Sequence, residues 1–370
     1  MQADAISESR SGEGQLGRTP PVLSVIMANY NHARWLPRAL SALLDQDPAP
    51  DEVVVVDDGS TDHSISVIEA YRARYPSITL IRHERNRGVA AAMDTALASV
   101  SGEFLIGAAA DDFVLPGLFA HAIAALRAHP EAALFCSEAV LVDRDDRIVG
   151  FRPWTVPRHT SGYVSPEAAR RAIRTTDNWF LGTGVVYRRS RLTEIGYFDH
   201  ALGSLTDTMA NRLLAFRHGF FFEAKVLSAW RIYPESFSAR SSLSASESTR
   251  LIETARRWIE ANFPADMRES YPRLFERRLR FNLARQRLVW ANGGIDRAGI
   301  AAAMRWGWFD RMVLRVLSAV PGLRSRLVLA WLALRARPYG VGPLMRSFWR
   351  NLTLNRARRR VLQAQLTGGR

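Results

Sequence analysis

Residues 53–56 are four consecutive valines, followed at once by Asp57-Asp58-Gly59-Ser60-Thr61-Asp62. Four β-branched residues with no polar alternate predict a strand buried on both faces. A central strand of a helix-covered parallel sheet has this pattern. The strand runs straight into two carboxylates, a glycine, two hydroxyls and a third carboxylate. Ligands of open α/β sheets collect outside the carboxyl ends of strands. Asp-Gly-Ser is also ordinary turn chemistry, so the stretch alone reads as a site or as a solvated turn. The downstream pattern favours a site.

In chain order, Val22–Asn29 predicts a first buried strand, broken at Tyr30-Asn31-His32 and followed by a helix over 34–44. Strand two is 52–57, and Asp62 can cap the next helix, to about Arg74. A short strand follows at 78–82. Asn86-Arg87-Gly88 is a turn, and a small-residue helix over 89–99 leads to strand four at 103–108. Then comes Ala109-Ala110-Asp111-Asp112, with Pro116 opening a helix. Strand–helix alternation with short connections predicts right-handed βαβ units and a parallel sheet. Later elements read as strands at 134–142 and 147–154, a loop over 155–165, a helix over 166–174, a Gly-punctuated segment 178–187, and a helix over 205–218. Two further strands follow, at 220–226 and 227–232. From Ser244 onward the chain reads as helix.

The formal charge of +14 is unevenly placed. Residues 297–370 contain 15 Arg and one acid, Asp310, while 1–296 is neutral. Cys136 is the single cysteine. It excludes an internal disulfide and a multi-Cys metal site, and its apolar neighbours predict a buried thiol. Residues 1–20 are polar and Gly/Ser-rich and are expected to be a disordered lead-in, without the apolar core of a secretory signal. No run of about 18 apolar residues predicts a transmembrane helix. The expected location is cytoplasmic, at most peripheral on the inner face of the membrane.

Acidic pairs stand at two strand ends, 57–58 and 111–112. With scattered His and no Cys ligands, such a set suits a hard divalent cation, Mg²⁺ or Mn²⁺, completed by phosphate oxygens. Ser60, Thr61 and the backbone at Gly59 and Gly88 can reach sugar or phosphate. Arg82, Arg85 and Arg87 are candidate phosphate partners or simply a solvated basic turn.

The run from Pro21 to Pro116 contains VLSVIMANYNHARWL, EVVVVDDGSTD, ERNRGVAAAMDTAL and GEFLIGAAADD, in this order. It resembles the family 2 inverting glycosyltransferases of the GT-A fold, with the likeness extending over about 21–240. The resemblance implies that Asp57 and Asp58 hold the nucleoside, with Ala28, Asn29, Tyr30, Gly59, Arg87, Gly88 and Ala110 in the same site. It implies metal binding by Asp111 beside Asp112, although Ala109 stands where the family commonly has the first Asp of its D-x-D motif. It implies a general base at Asp207, which follows Gly196-Tyr197-Phe198-Asp199, with Thr206 in place of the usual first acid. Asp207 also suits a helix cap. Asn178, Trp179, Gly182 and Gly184 fall where the family lines its donor and acceptor pocket, and Trp179 reads equally as core. Arg231, with Ser236 and Ser238, resembles the segment that folds over the diphosphate.

The arginine-rich tail lies outside the resemblance. Phe309, Met312, Val313, Val316, Leu317 and Val320 repeat at helical spacing. A second helix is expected over 323–337, and a third from Pro343, including Phe348 and Trp349, ending in the basic run 356–360. Amphipathic helices of this kind suit an anionic membrane surface or a bundle packed on the preceding domain with a solvated basic face. No nucleic-acid motif accompanies the basic charge, so nucleic acid is not an expected partner.

The expected architecture is thus a disordered 1–20, a GT-A-like α/β domain at 21–240 with a mostly parallel sheet and flanking helices, and a helical basic region at 241–370. The expected activity is transfer of a sugar from a nucleotide diphosphate sugar to a hydroxyl of a glycan or lipid-linked acceptor, with inversion. A non-catalytic sugar-nucleotide-binding scaffold and a nucleotidyltransferase are the alternatives. Donor base and sugar stay open, because function lives in the site and not in the fold.

Overall fold

The computed structural model describes residues 22–363 apart from 154, 177–178, 237–238, 240–244, 290–294, 344, 347–348 and 350–357. The expected lead-in at 1–20 lies outside the described residues, as do Asn178, Ser238, Phe348 and the start of the basic run 356–360.

The four valines do what their pattern requires. Strand β2 (Glu52–Asp57) sends Val53 and Val55 into one hydrophobic core and Val54 and Val56 into another, one on each face of the sheet. Full burial of each such side chain is worth about 1.5–3 kcal/mol, so this strand is fixed from both sides. Its neighbours are β1 (Leu23–Asn29) and β3 (Ile78–Arg82), both parallel, and β1 pairs in parallel with β4 (Phe104–Ala109). On one face lie α1 (Leu36–Leu44), α2 (Ser64–Arg72) and α4 (Leu118–Ala128); on the other lies α3 (Val89–Leu97).

Beyond β4 the sheet becomes mixed. The short strand β5 (Phe113–Val114) follows β4 in the chain. Next come β6 (Leu134–Val142), β7 (Ile148–Arg152), β8 (Gly162–Val164), α5 (Pro166–Ile173), β9 (Val185–Arg188), α6 (Arg189–Glu194) and α7 (Thr206–His218). Strand β10 (Phe220–Arg231) closes the sheet. The order is β3-β2-β1-β4-β9-β6-β10-β5, with β7 on β6 and β8 on β10. The longer pairings are parallel and the shorter ones antiparallel.

Two expectations are corrected here. The stretch 220–232 is one strand, where two were expected: Glu223 and Lys225 interrupt the apolar pattern. The chain absorbs them as register shifts between Glu223 and Ser228 instead of turning, as a β-bulge does. The stretch 155–165 is not all loop, because Gly162–Val164 pairs with the start of β10. Cys136 is buried, as expected.

The first helices after residue 240 pack into the sheet's core, and the later ones form a core of their own. Helix α8 (Ala245–Asn262) contributes Ala255 and Ile259, and Phe263 follows it. The long α9 (Ala265–Val289) joins two cores. Its first half sets Met267, Tyr271 and Phe275 against Leu213 and Phe216 of α7. Its second half gives Phe281, Ala284 and Leu288 to a separate cluster with α10 (Arg297–Met304), α11 (Trp308–Ser318) and α12 (Arg324–Ala336). Leu362 returns to the sheet, beside Phe113, Val140 and Ile148. No helix among the described residues is long and apolar enough to cross a membrane.

Candidate functional site

Strands β1, β2 and β4 run parallel, so their carboxyl ends meet at one edge of the sheet, in the order Asp57, Asn29, Ala109 across it. This juxtaposition builds the site. β1 lies between β2 and β4, which keeps the two acidic pairs apart by two strand spacings, about 10 Å. Among the described residues, no group of three or more His, Cys, Asp or Glu is arranged to hold a metal. A set of two acidic pairs at two strand ends was expected to suit one divalent cation; the four carboxylates do not gather into one cluster among the described residues.

The first pair organises loops. Asn29 Nδ2 donates to Asp57 Oδ2 at 2.7 Å, and the Ser60 amide donates to Asp57 Oδ1 at 2.9 Å. Asp58 Oδ1 accepts the Arg87 amide at 2.9 Å and faces His83 Nδ1 at 2.7 Å, while its Oδ2 accepts the Gly88 amide at 2.8 Å. Both carboxylates are buried. Asn31, at positive φ, accepts the Thr61 and Asp62 amides on its side-chain oxygen, tying the loop after β1 to the loop after β2. Asp62 was expected to cap α2, but the cap position is His63; Asp62 stands one residue earlier, its Oδ1 accepting the Ser64 amide at 2.9 Å. Gly59 has φ +75°, and a Cβ there would sit 2.7 Å from the Arg85 carbonyl carbon; only glycine lets these loops touch. The buried Asn29 Oδ1 has no partner, an acceptor left for a ligand at the centre of the three strand ends. Tyr30 is exposed beside it, Ala28 is partly buried, and Arg82, Arg85 and Arg87 stand at the open rim.

The second pair divides its labour. Asp112 turns inward: its Oδ1 accepts the Arg231 amide at 2.7 Å and its Oδ2 accepts the Thr183 hydroxyl at 3.0 Å. Burial, and then the charge of Asp111, hold its carboxyl well above the usual range. A buried carboxyl of this kind, with both oxygens engaged, is a poor metal ligand, so its assignment to the metal is corrected. Ala110 likewise points its methyl into the core. Asp111 Oδ2 accepts the Tyr233 hydroxyl at 2.7 Å, and Asp111 Oδ1 has no protein hydrogen bond among the described residues. Around Tyr233 stand His32, its Nε2 3.4 Å from the phenol oxygen, and Trp35, with ring centroids 4.9 Å apart. His32 Nδ1 and Trp35 Nε1 are buried without partners. The donor set fits a cation held by Asp111 and completed by substrate phosphates and water, as Mg²⁺ is commonly held. It does not fit a cage of protein ligands.

Arg231 is corrected as well. Its side chain is 1% exposed. Nε donates to the Asp111 carbonyl at 2.8 Å, and the two terminal nitrogens donate to the Asp143 carbonyl and Asp146 Oδ1, each at 2.7 Å. The guanidinium pins the β6–β7 turn to the Asp111 backbone and has no free fork for a diphosphate. Trp179 is fully buried between Phe180 and Phe220, hence core. Gly184 lacks a Cβ because Ser228 Oγ would lie 2.6 Å from it, an internal packing reason; Gly182 faces open space.

Asp207 lies in the first turn of α7. Its Oδ1 accepts the Thr208 amide at 2.6 Å. Burial raises its carboxyl above the ordinary value, against the lowering effects of that hydrogen bond and of Arg212. Burial, and then Asp207, raise the Tyr187 phenol in turn. No hydrogen bond among the described residues joins Asp207 to Asp111. Tyr233, His32, Trp35 and His83 are the site residues that sequence reasoning passed over. Tyr233 lies 122 residues from Asp111, and no spacing rule links positions so far apart.

Residues 24–195 match the family model described as Glycosyl transferase family 2. The chain is 25% identical over 229 residues to an uncharacterized glycosyltransferase, alr2836, of Nostoc sp., covering 61% of this chain and 68% of that one. It is 33% identical over 165 residues to the succinoglycan biosynthesis protein ExoU of Rhizobium meliloti, covering 44% and 48%. The chain thus spans about half to two thirds of these relatives. Among solved structures, it resembles S. aureus TarS 1-349 in complex with UDP-GlcNAc, at 20% identity and TM-score 0.55, over 86% of this chain and 89% of that one. It also resembles the mannosyltransferase PcManGT from Pyrobaculum calidifontis in complex with GDP-Man and Mn²⁺, at 22% identity and TM-score 0.54, over 86% of each. At such identities the likeness is one of fold, GT-A-like with a helical C-terminal region.

Proposed function

We propose that this chain, which carries a family 2 glycosyltransferase domain over residues 24–195, transfers a sugar from a nucleotide diphosphate sugar to an acceptor hydroxyl with inversion. The observation that carries the reading is the meeting of three strand ends. Asn29 with its unpartnered acceptor, the Asp57–Asp58 loops and the half-open Asp111 carboxylate share one edge. The nucleoside lies against Asn29, Tyr30 and the 57–60 and 85–88 loops, with the Gly59 and Gly88 backbone and Arg87 at its rim. Asp111 would hold a divalent cation, Mg²⁺ or Mn²⁺, which would stabilise the charge of the leaving diphosphate.

Asp207 is the base. As the acceptor oxygen attacks the anomeric carbon from the face opposite the nucleotide, its proton passes to the Asp207 carboxylate. The bond from that carbon to the phosphate oxygen breaks, and its electron pair leaves on the nucleoside diphosphate. A carboxyl raised by burial holds that proton better than a solvated one. The acceptor is a glycan or a lipid-linked envelope glycan, in keeping with the succinoglycan relative and the basic tail.

Thermal-shift titration with UDP-, GDP-, dTDP- and CDP-sugars, with and without Mn²⁺, tests the donor part, since a ligand that binds the native state raises its melting temperature. A metal-dependent shift with one nucleotide, abolished by Asp111→Asn, supports the reading. Folded protein that shifts with none of them refutes it and favours a scaffold. Release of pyrophosphate instead of nucleoside diphosphate would make the chain a nucleotidyltransferase.

A further inference from the structure

Among the described residues, the large apolar side chains left exposed are Tyr30, Val89 and Val149 before residue 300. All the others lie after it: Trp308, Phe309, Met312, Val316, Leu323, Leu334, Val341, Met345, Trp349 and Val361. The concentration is sharpest on α11. At about 100° per residue, Trp308, Met312, Val316 and Phe309 fall within one arc about 100° wide. Trp308 is 77% exposed and Val316 61%. Asp310, Leu314 and Leu317 fall on the opposite side, and there Asp310 and Leu314 are buried. The helix is therefore apolar on two faces, and its inner face is satisfied by the neighbouring helices. At one edge of the arc Phe309 meets the Trp331 ring of α12, centroids 6.4 Å apart, while Trp308, Met312 and Val316 stay exposed.

What surrounds the arc decides its occupant. Residues 297–370 carry a single acid, Asp310, and Arg335 takes both of its oxygens, at 2.8 and 3.0 Å. This bidentate pair locks α12 against α11 from the inside and leaves no negative charge outside. Arg311 and Arg315 line one edge of the arc and are exposed, as is Arg326 at the start of α12. Arg315 and Arg326 have no acidic partner among the described residues. Two copies of such a surface, face to face, would bring like charges together. An aromatic and aliphatic arc edged by arginine suits the headgroup boundary of an anionic bilayer, entered in the plane and not crossed; no described helix can cross.

We propose that the outward face of α11 (Trp308–Ser318), with the start of α12, docks this chain on an anionic lipid surface. The inference stands apart from the transferase reading and names the face, its apolar anchors and its arginine edge.

The test is flotation of the purified full chain with vesicles of phosphatidylcholine alone or containing one quarter phosphatidylglycerol. The wild type is expected to float with the anionic vesicles and to be released by high salt. A Trp308→Ala, Met312→Ser, Val316→Ser triple variant should lose at least tenfold in partitioning with no fall in melting temperature. Arg315→Gln and Arg326→Gln should each lose about fivefold, from roughly 1 kcal/mol per arginine near an anionic surface. Failure of the wild type to float, or equal flotation of the triple variant, overturns the proposal. So does a dimer in light scattering that the triple variant dissociates, which would assign the face to a second copy. Donor-induced thermal shifts measured on the same variants keep the two readings separable.

Discussion

The Tyr233 hydroxyl donates a 2.7 Å hydrogen bond to Asp111 Oδ2, joining the end of the last strand to the carboxylate proposed to hold the cation. The phenol ring in turn packs, tilted by 41°, against Trp35 with centroids 4.9 Å apart, so the carboxylate's partner is backed by an aromatic wall. Tyr233→Phe keeps that wall and removes the hydrogen bond. Donor binding in Mn²⁺ should weaken about 10–100-fold, as expected for removing an orienting partner of a metal ligand. Titration calorimetry with and without the metal measures it. Tighter binding would mean that the phenol competes with the cation for Asp111.

Arg231 distinguishes a structural pin from a diphosphate contact. Arg231→Lys keeps the charge but cannot reach the Asp111 carbonyl, the Asp143 carbonyl and Asp146 together. Leaving buried acceptors without donors should cost about 2–4 kcal/mol in urea unfolding. Unchanged stability with lost donor binding would restore the diphosphate role.

The parts that were legible in the sequence are those written locally. Val53–Val56 declared a strand buried on both faces, and the Val54/Val56 and Val53/Val55 division between two cores is what that pattern requires. The parts that were not legible depend on partners far along the chain. Asp111 and Asp112 are adjacent and chemically identical in sequence. They differ because Thr183 and the Arg231 amide draw one inward, while among the described residues the other carboxylate is hydrogen-bonded by Tyr233. Trp179 at a Gly-punctuated stretch read equally as pocket wall or core, and only the meeting of Phe180 and Phe220 decides for core. The division of α9 between two cores was equally hidden, since its apolar stripe reads the same whichever element covers it.

Gly59 and Gly88 both have positive φ, but only one is crowded. A Cβ at Gly59 meets the Arg85 backbone at 2.7 Å, whereas at Gly88 nothing lies within 4 Å. Gly88→Ala should therefore cost only left-handed strain, about 1–2 kcal/mol. Gly59→Ala adds a backbone clash and should cost about 1–3 kcal/mol more. It should also push the 85–88 loop off Asp58 and weaken nucleotide binding. Urea unfolding of both variants, with nucleotide titration, checks the order; equal effects would show that the loops are free to part.

Asp207 should reveal itself by opposing effects on activity and stability. Burial raises its carboxyl above the ordinary value of 3.8, so the native state retains this proton more strongly than the unfolded chain. Its contribution to stability is then most favourable below the unfolded value and falls as pH rises through the raised native one. At neutral pH the ionised, desolvated carboxylate is a liability to the fold. Asp207→Asn removes that liability while its amide oxygen can still accept the Thr208 amide. The variant should melt higher than wild type at about pH 7, with the difference fading toward about pH 3. Its turnover should fall by about 10²–10⁴-fold, the usual contribution of a positioned base. In the wild type, the acid limb of kcat should lie above the ordinary aspartate range and should vanish with the substitution. Turnover that survives Asp207→Asn with the acid limb intact would reduce this residue to the start of a helix.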